Sequence, residues 1–355
     1  MCLAEARAAS GESQPCPSLL TSLASLAISN SLSLFFFAPF GDVLNRLLEW
    51  ILTGLVTVLR CLSLETIAQM GRLLGGLAWR IDIRHRRIAV ENIRHAFPEW
   101  SQQQVRDTVR ENFRRIGEAY ACAVRIPGMS LAELGDRIEY VGLKSCLPPL
   151  GQNLVVASGH FGNFDLLSLS AQIIPDRHSA TTYRAQGVKA LETVFQGLRE
   201  RTGVQFFERR QGVVAMRNLF KSGNVILALF ADQHGGAHGL WLPLLGRPCS
   251  CSTSAAVIAL RYRATLTTSF CFRTRLAGWR IECGPNIPTH TPDGLERSVE
   301  EITRDIVVAY EVAIRRDPAN WFWVHRRWKP RSQHQSLSPP PIDPNQSSNL
   351  SETKP

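Results

Sequence analysis

At 355 residues the chain has room for one large or two small domains with a sizeable core. Hydrophobic residues at 45% and charged residues at 20% exclude wholesale disorder and any collagen-like repeat. Forty basic residues against 30 acidic ones give a net charge of +10, and only five of the basic ones are Lys. Such an Arg excess fits either an anionic partner that the planar guanidinium grips in bidentate fashion, or a GC-rich codon bias. The nine Cys are scattered without a C-x-x-C pair, which points to reduced thiols and away from a disulfide framework or a zinc ribbon.

In chain order, the first feature is an uncharged segment from Leu19 to Phe40, with 14 apolar residues among 22. It is long enough to cross a bilayer but diluted by serines such as Ser22, Ser25 and Ser29. With no basic stretch before it and no small-residue cleavage site after it, it reads as a retained anchor and not a cleaved leader. A second apolar stretch, Trp50 to Leu59, lies between Arg46 and Arg60. It is too short to span and reads as an interfacial or core helix. The following Arg72, Arg80, Arg84, Arg86, Arg87 and Arg94 place the rest of the chain on the cytoplasmic side by the positive-inside tendency.

From Arg87 to about Val124 apolar residues recur at helical spacing, interrupted at Pro98. Beyond Arg125 short β-branched runs alternate with helical stretches. Strands are expected at 154–158, 179–183, 225–231, 264–272 and 279–283, with helices at about 164–174, 188–201, 211–220, 252–263 and 295–316. This alternation predicts an α/β fold, a mixed and largely parallel sheet with crossover helices, behind an N-terminal helical membrane-associated region. The expected organisation is residues 1–62 at the membrane, 63–330 as the globular domain, and a Ser/Pro-rich disordered tail at 331–355.

The run Leu154-Val155-Val156-Ala157-Ser158-Gly159-His160-Phe161-Gly162-Asn163-Phe164-Asp165 ends a buried strand in a Gly-flanked His, with an Asp five residues on. In one continuous helix the two side chains would lie about 140 degrees apart, so they can meet only if His160 sits in the loop and Asp165 in the first helical turn. A carboxylate there would hold one imidazole nitrogen and leave the other as a general base, at the strand end where open α/β sheets place their sites. A buried His satisfied by a neighbouring acid is the plainer reading of an arbitrary H-x4-D.

The wider pattern resembles the late acyltransferases of lipid A biosynthesis, the lauroyl and myristoyl transferase family, which is related to the phosphatidylinositol mannoside acyltransferases. The resemblance runs from about Leu47 to Pro330 and rests on several blocks. These are Asn92-Ile93-Arg94-His95-Ala96-Phe97-Pro98-Glu99, the His160-to-Asp165 block, Tyr183-Arg184, Ala231-Asp232-Gln233, Leu242-Pro243-Leu244-Leu245-Gly246 and Trp323-Val324-His325-Arg326-Arg327-Trp328-Lys329.

The resemblance implies a glycerolipid-acyltransferase-like fold and O-acyl transfer from an acyl thioester to a hydroxyl of a lipid A precursor at the cytoplasmic face of the inner membrane. By it His160 is the base, Asp165 its orienting partner, Arg184 a cation at the reacting carbonyl or an acceptor phosphate, and Asp232 a second active-site carboxylate. Asn163, Arg184 and Gln233 would contact substrate. No cofactor is implied, since the thioester of acyl carrier protein or coenzyme A is a co-substrate. The acceptor oxygen is itself the nucleophile, in keeping with the lack of a G-x-S-x-G elbow.

Partners on this view are a membrane lipid, acyl carrier protein and an anionic membrane surface. Nucleic acid is not among them, since no RNP, helix-turn-helix or finger motif is present. The alternatives are another polar lipid as acceptor, such as a glycosylated phospholipid, or a catalytically silent membrane-binding protein. Arg199, Arg201, Arg209 and Arg210 suit lipid phosphates or an acidic acyl carrier protein, but the plainer expectation is a solvated helix face. His234 and His238 near Asp232 lack the helical spacing of a zinc site, so no metal is expected. Trp321, Trp323 and Trp328 suit either a membrane surface or a closed core.

Overall fold

The computed structural model describes residues 43, 45–184, 189–208 and 213–331. The segment from Leu19 to Phe40 and the tail beyond Arg331 lie outside the described residues. A helix α1 over residues 45–60 leads into α2 (Leu64–Ile81), α3 (Ile83–Ala96) and α4 (Gln102–Arg125). Ser63 caps α2 by accepting from Thr66 N–H, and Asp82 caps α3 through His85 N–H. Pro98 falls between α3 and α4, and Ser101 with Gln104 closes a reciprocal capping box at the start of α4. No helix among the described residues is long and apolar enough to cross a membrane.

Strands β1 (Ile138–Val141), β2 (Leu154–Ser158), β3 (His178–Tyr183), β4 (Gln205–Glu208) and β5 (Val225–Phe230) follow. A hairpin of β6 (Leu240–Leu244) and β7 (Arg247–Cys251) precedes β8 (Thr265–Arg275) and β9 (Gly278–Cys283). The longer helices among and after the strands are α5 (Lys189–Glu200), α6 (Val213–Ser222), α7 (Ser254–Arg261) and α8 (Val299–Arg316).

The seven-stranded sheet has the order β1-β9-β8-β2-β5-β3-β4, with every neighbouring pair parallel except β8 and β9. The largely parallel α/β fold expected from the sequence is therefore present. β2 is the middle strand, and all five of its residues are buried, as a strand covered on both faces requires.

Its side chains alternate between layers. Val155 and Ala157 join a core built with Ile93, Val109 and Phe113 of α3 and α4 and Ile306 and Tyr310 of α8, whereas Leu154 and Val156 pack with Ile226 in another cluster. A third core joins Ile67 and Ala68 of α2 to Cys122 of α4 and to Trp279 and Ile281 of β9. Where one helix was expected over 164–174, the chain makes a 3-10 turn over Phe164–Leu169 and then one α-turn over Ser170–Ile173.

Candidate active site

The register of the central strands brings two distant loops together. Ser158 of β2 pairs with Phe230 of β5, so His160 and Asp232 each lie two residues past a matched pair of strand ends. Parallel neighbours stand about 4.8 Å apart, which puts the two side chains within reach at the carboxyl edge of the sheet. His160 Nδ1 meets Asp232 Oδ1 at 2.8 Å, and the backbone N–H of His160 donates to Asp232 Oδ2 at 2.9 Å. The indole N–H of Trp321 donates to the same Oδ2 at 2.8 Å. Nδ1 is thus held by Asp232, where the spacing argument put Asp165; strand pairing brings a carboxylate from 72 residues away.

Asp232 is 1% exposed. Burial pushes its carboxyl pKa up, but the attraction of His160, the two hydrogen bonds from that residue and the one from Trp321 outweigh it and bring the value down to about 2. It is a carboxylate at any ordinary pH, so it accepts from Nδ1–H and leaves Nε2 as the basic nitrogen. His160 is one-fifth exposed and is ringed by Phe164, Phe230 and Phe322 at centroid distances of 4.8 to 5.9 Å. It lines a small cleft with Asn112, Ile116, Ala119 and Tyr120 of α4 and with the 319–322 segment.

Asp165 opens the 3-10 turn and is half-buried. Burial raises its pKa to about 6, against the lowering pull of His160 and Arg199, so it shares the electrostatics of the site. Asn163 is 1% exposed, and neither its Nδ2 nor its Oδ1 has a hydrogen-bond partner among the described residues. Gln233 is half-buried just past Asp232. Arg184 is exposed at the end of β3. Thr181 pairs with Ala228, so Arg184 leaves the sheet level with Ala231, two strand spacings or about 10 Å from β2.

Several contributors carry no local sequence signal. The C-terminal segment folds back over the His160 loop: Gly162 N–H donates to Asn320 O at 2.8 Å and Phe322 N–H donates to His160 O at 3.1 Å. Two buried asparagines clamp it, Asn112 reaching the carbonyls of Ala319 and Trp321, and Asn92 those of Trp323 and His325. This joins the Asn92 block to the Trp323 block, two parts of the resemblance that are 231 residues apart. Trp321, Trp323 and Trp328 are at most 8% exposed, so they close the core and do not face a membrane surface.

His325, behind Asp232, is pushed down to about 4, chiefly by burial, and is neutral at pH 7. Arg199 departs from the solvated face expected of it: it is 17% exposed, pairs with Glu192 at 3.0 Å and lies 4.2 Å over the Tyr183 ring. Arg201 is exposed, and Arg209 and Arg210 lie outside the described residues. No group of three or more His, Cys, Asp or Glu side chains among the described residues is arranged to hold a metal ion, and His234 Nδ1 instead accepts from Gly236 N–H.

The sequence profile of the bacterial lipid A biosynthesis acyltransferases matches residues 36–330. The chain belongs to this family. Among its relatives are the lipid A biosynthesis lauroyltransferase of Escherichia coli K12, 22% identical over 299 residues covering 81% of this chain and 92% of that protein. The lipid A biosynthesis palmitoleoyltransferase of the same organism is 22% identical over 294 residues, covering 80% of this chain and 92% of its own length. As a member of the lipid A biosynthesis acyltransferase family, this chain is an acyltransferase, and His160, Asp165, Arg184 and Asp232 fall inside the matched span.

Proposed function

We propose that this acyltransferase moves a fatty acyl chain from an acyl thioester to a hydroxyl of a lipid A precursor at the cytoplasmic face of the inner membrane. The observation that carries the mechanism is the His160 to Asp232 pair: an ionised carboxylate on Nδ1 fixes the tautomer and makes Nε2 the nitrogen that takes a proton. Nε2 removes the hydroxyl proton of the acceptor as its oxygen attacks the thioester carbonyl. The tetrahedral intermediate then collapses with cleavage of the C–S bond, and the thiolate leaves with the proton now on Nε2. Asp165, beside this centre, adds negative charge that favours the transient imidazolium once it is ionised.

Arg184, exposed at the end of β3, is assigned to the developing oxyanion or to a substrate phosphate. Asn163, whose amide atoms have no hydrogen-bond partner among the described residues, and Gln233 are assigned to substrate contacts. The donor is acyl carrier protein or coenzyme A carrying the acyl chain as its thioester, and no further cofactor is called for by this chemistry.

Membrane docking is supported by two exposed apolar stripes. On α1 these are Leu47, Trp50, Ile51, Leu55 and Val58, with Trp50 at 80% exposure; on α2 they are Leu73, Leu74, Leu77 and Ile81. Both recur at helical spacing and are accompanied by Arg46, Arg80 and Arg84, a pattern suited to an anionic bilayer surface. Mass spectrometry of total lipids with and without the protein tests the acceptor. A lipid A species lighter by one acyl group in its absence supports the reading; intact lipid A beside another lipid short of one acyl group refutes it in favour of that acceptor.

A further inference from the structure

Three arginines from separate elements converge away from the His160 pair. Arg60 ends α1, Arg125 ends α4 and Arg201 follows α5, and they meet over the turn Ile126–Gly128. A Cβ placed on Gly128 would stand 3.8 Å from Arg60 Nε and 3.9 Å from Arg201 Nη1. Burial and the charges of Arg201 and Arg125 lower the pKa of Arg60. The Nε atoms of Arg60 and Arg125 are buried and have no hydrogen-bond partner among the described residues. Glu133 approaches Arg125 Nη2 only to 3.9 Å and is itself 53% exposed, so it neutralises little. Repelling cations with unsatisfied buried donors are costly to hold together unless an anion supplies the missing acceptors.

The position is also suited to a substrate. Tyr120 of α4 lines the cleft with His160, and Arg125 ends the same helix five residues further on, a rise of about 7.5 Å and about 140 degrees round the axis, so the arginines stand beyond the end of the cleft. On the other side Arg60 ends the helix that bears the exposed apolar stripe.

We propose that Arg60, Arg125 and Arg201 form a phosphate-binding subsite that holds a phosphate group of a substrate while its reacting end lies at His160. The proposal rests on the acyl-transfer reading. The phosphate could be that of a phosphorylated acceptor lipid or that of the donor's phosphopantetheine arm, and both present the tetrahedral oxygens that guanidinium forks grip.

The test is steady-state kinetics of the full-length protein in detergent, comparing wild type with Arg60→Gln, Arg201→Gln and the corresponding Lys variants. Four substrate arms are used: the acceptor with and without its phosphate, and acyl-phosphopantetheine against acyl-pantetheine as donor. A KM raised about 10-fold per Gln substitution for one phosphorylated substrate, unchanged for its phosphate-free form and partly restored by Lys, supports the subsite and identifies the source. KM values unchanged for both phosphorylated substrates overturn it. Arg201 is exposed, so its variant decides the matter if Arg60→Gln does not fold. If the wild type transfers no acyl group, the functional reading falls, and line broadening of inorganic phosphate in phosphorus NMR decides the subsite separately. Broadening by wild type that is lost in Arg201→Gln supports it, and equal or absent broadening overturns it.

Discussion

Gly159 shows how closely the His160–Asp232 pair is built into the backbone. A Cβ there would stand 2.8 Å from a ring carbon of Phe161 and 3.0 Å from Cβ and Cγ of Asp232, so only glycine lets the carboxylate sit behind the His160 amide. Gly159→Ala must push Asp232 away, and acyl transfer should fall by about 100-fold or more, as expected when a base loses its orientation. Retained turnover in that variant would mean that the pair tolerates displacement.

Asp165 and Asp232 differ in pH behaviour because only Asp232 is richly hydrogen-bonded. The pKa of Asp165 is raised to about 6, above its unfolded value of about 3.9, so the native state holds more protons between those limits and its contribution to stability falls as pH rises through that window. The pKa of Asp232 is depressed to about 2, so its contribution is present above about pH 4 and lost as pH falls towards 2. Denaturant titrations from pH 4 to 6 should therefore show Asp165→Asn gaining on wild type as pH rises; a constant difference would argue against the raised pKa of Asp165.

At the scale of elements, Glu118 ties the helical layer to the sheet. It is 1% exposed and takes hydrogen bonds from Arg72 of α2 at 3.2 Å, Arg273 of β8 at 2.7 Å and the backbone N–H of Ala277 at 3.0 Å. Removing its charge leaves Arg273, 17% exposed, without a carboxylate, so Glu118→Gln should cost on the order of 3 kcal/mol in unfolding free energy. An unchanged denaturation midpoint would show that the network is dispensable.

The same scale separates what the sequence reveals from what it hides. The buried run 154–158 and the helix near 189–200 are plain in the residue pattern, because a long covered strand and a periodic helix carry strong local signals. β1 and β4 are four-residue edge strands, and the β6–β7 hairpin pairs Pro243 with Pro248, which depresses any strand signal. His160 stands out from its flanking glycines and strand. That its Nδ1 partner is Asp232 follows from strand register, and that Trp321 completes the carboxylate's hydrogen bonds follows from tertiary clamping by Asn112; neither leaves a trace in local spacing.

Over the whole molecule, the proposed membrane face is made by the exposed apolar stripes of α1 and α2 with the arginines beside them. If α1 rests on the membrane, replacing Trp50 and Leu55 by Asp should weaken flotation with anionic vesicles of full-length protein solubilised free of its own lipids, while the fold persists, since both side chains are more than half exposed. Flotation equal to that of wild type would remove this face from the account.

His160, held by Asp232, is proposed as the base for acyl transfer to a lipid A precursor. The most direct measurement is acyl transfer by purified protein from an acyl thioester to that precursor, comparing wild type with His160→Ala. The account predicts a product heavier by one acyl group with wild type and a rate lowered by roughly 100 to 10,000 fold in the variant, with the fold intact. Near-normal turnover by His160→Ala would contradict it.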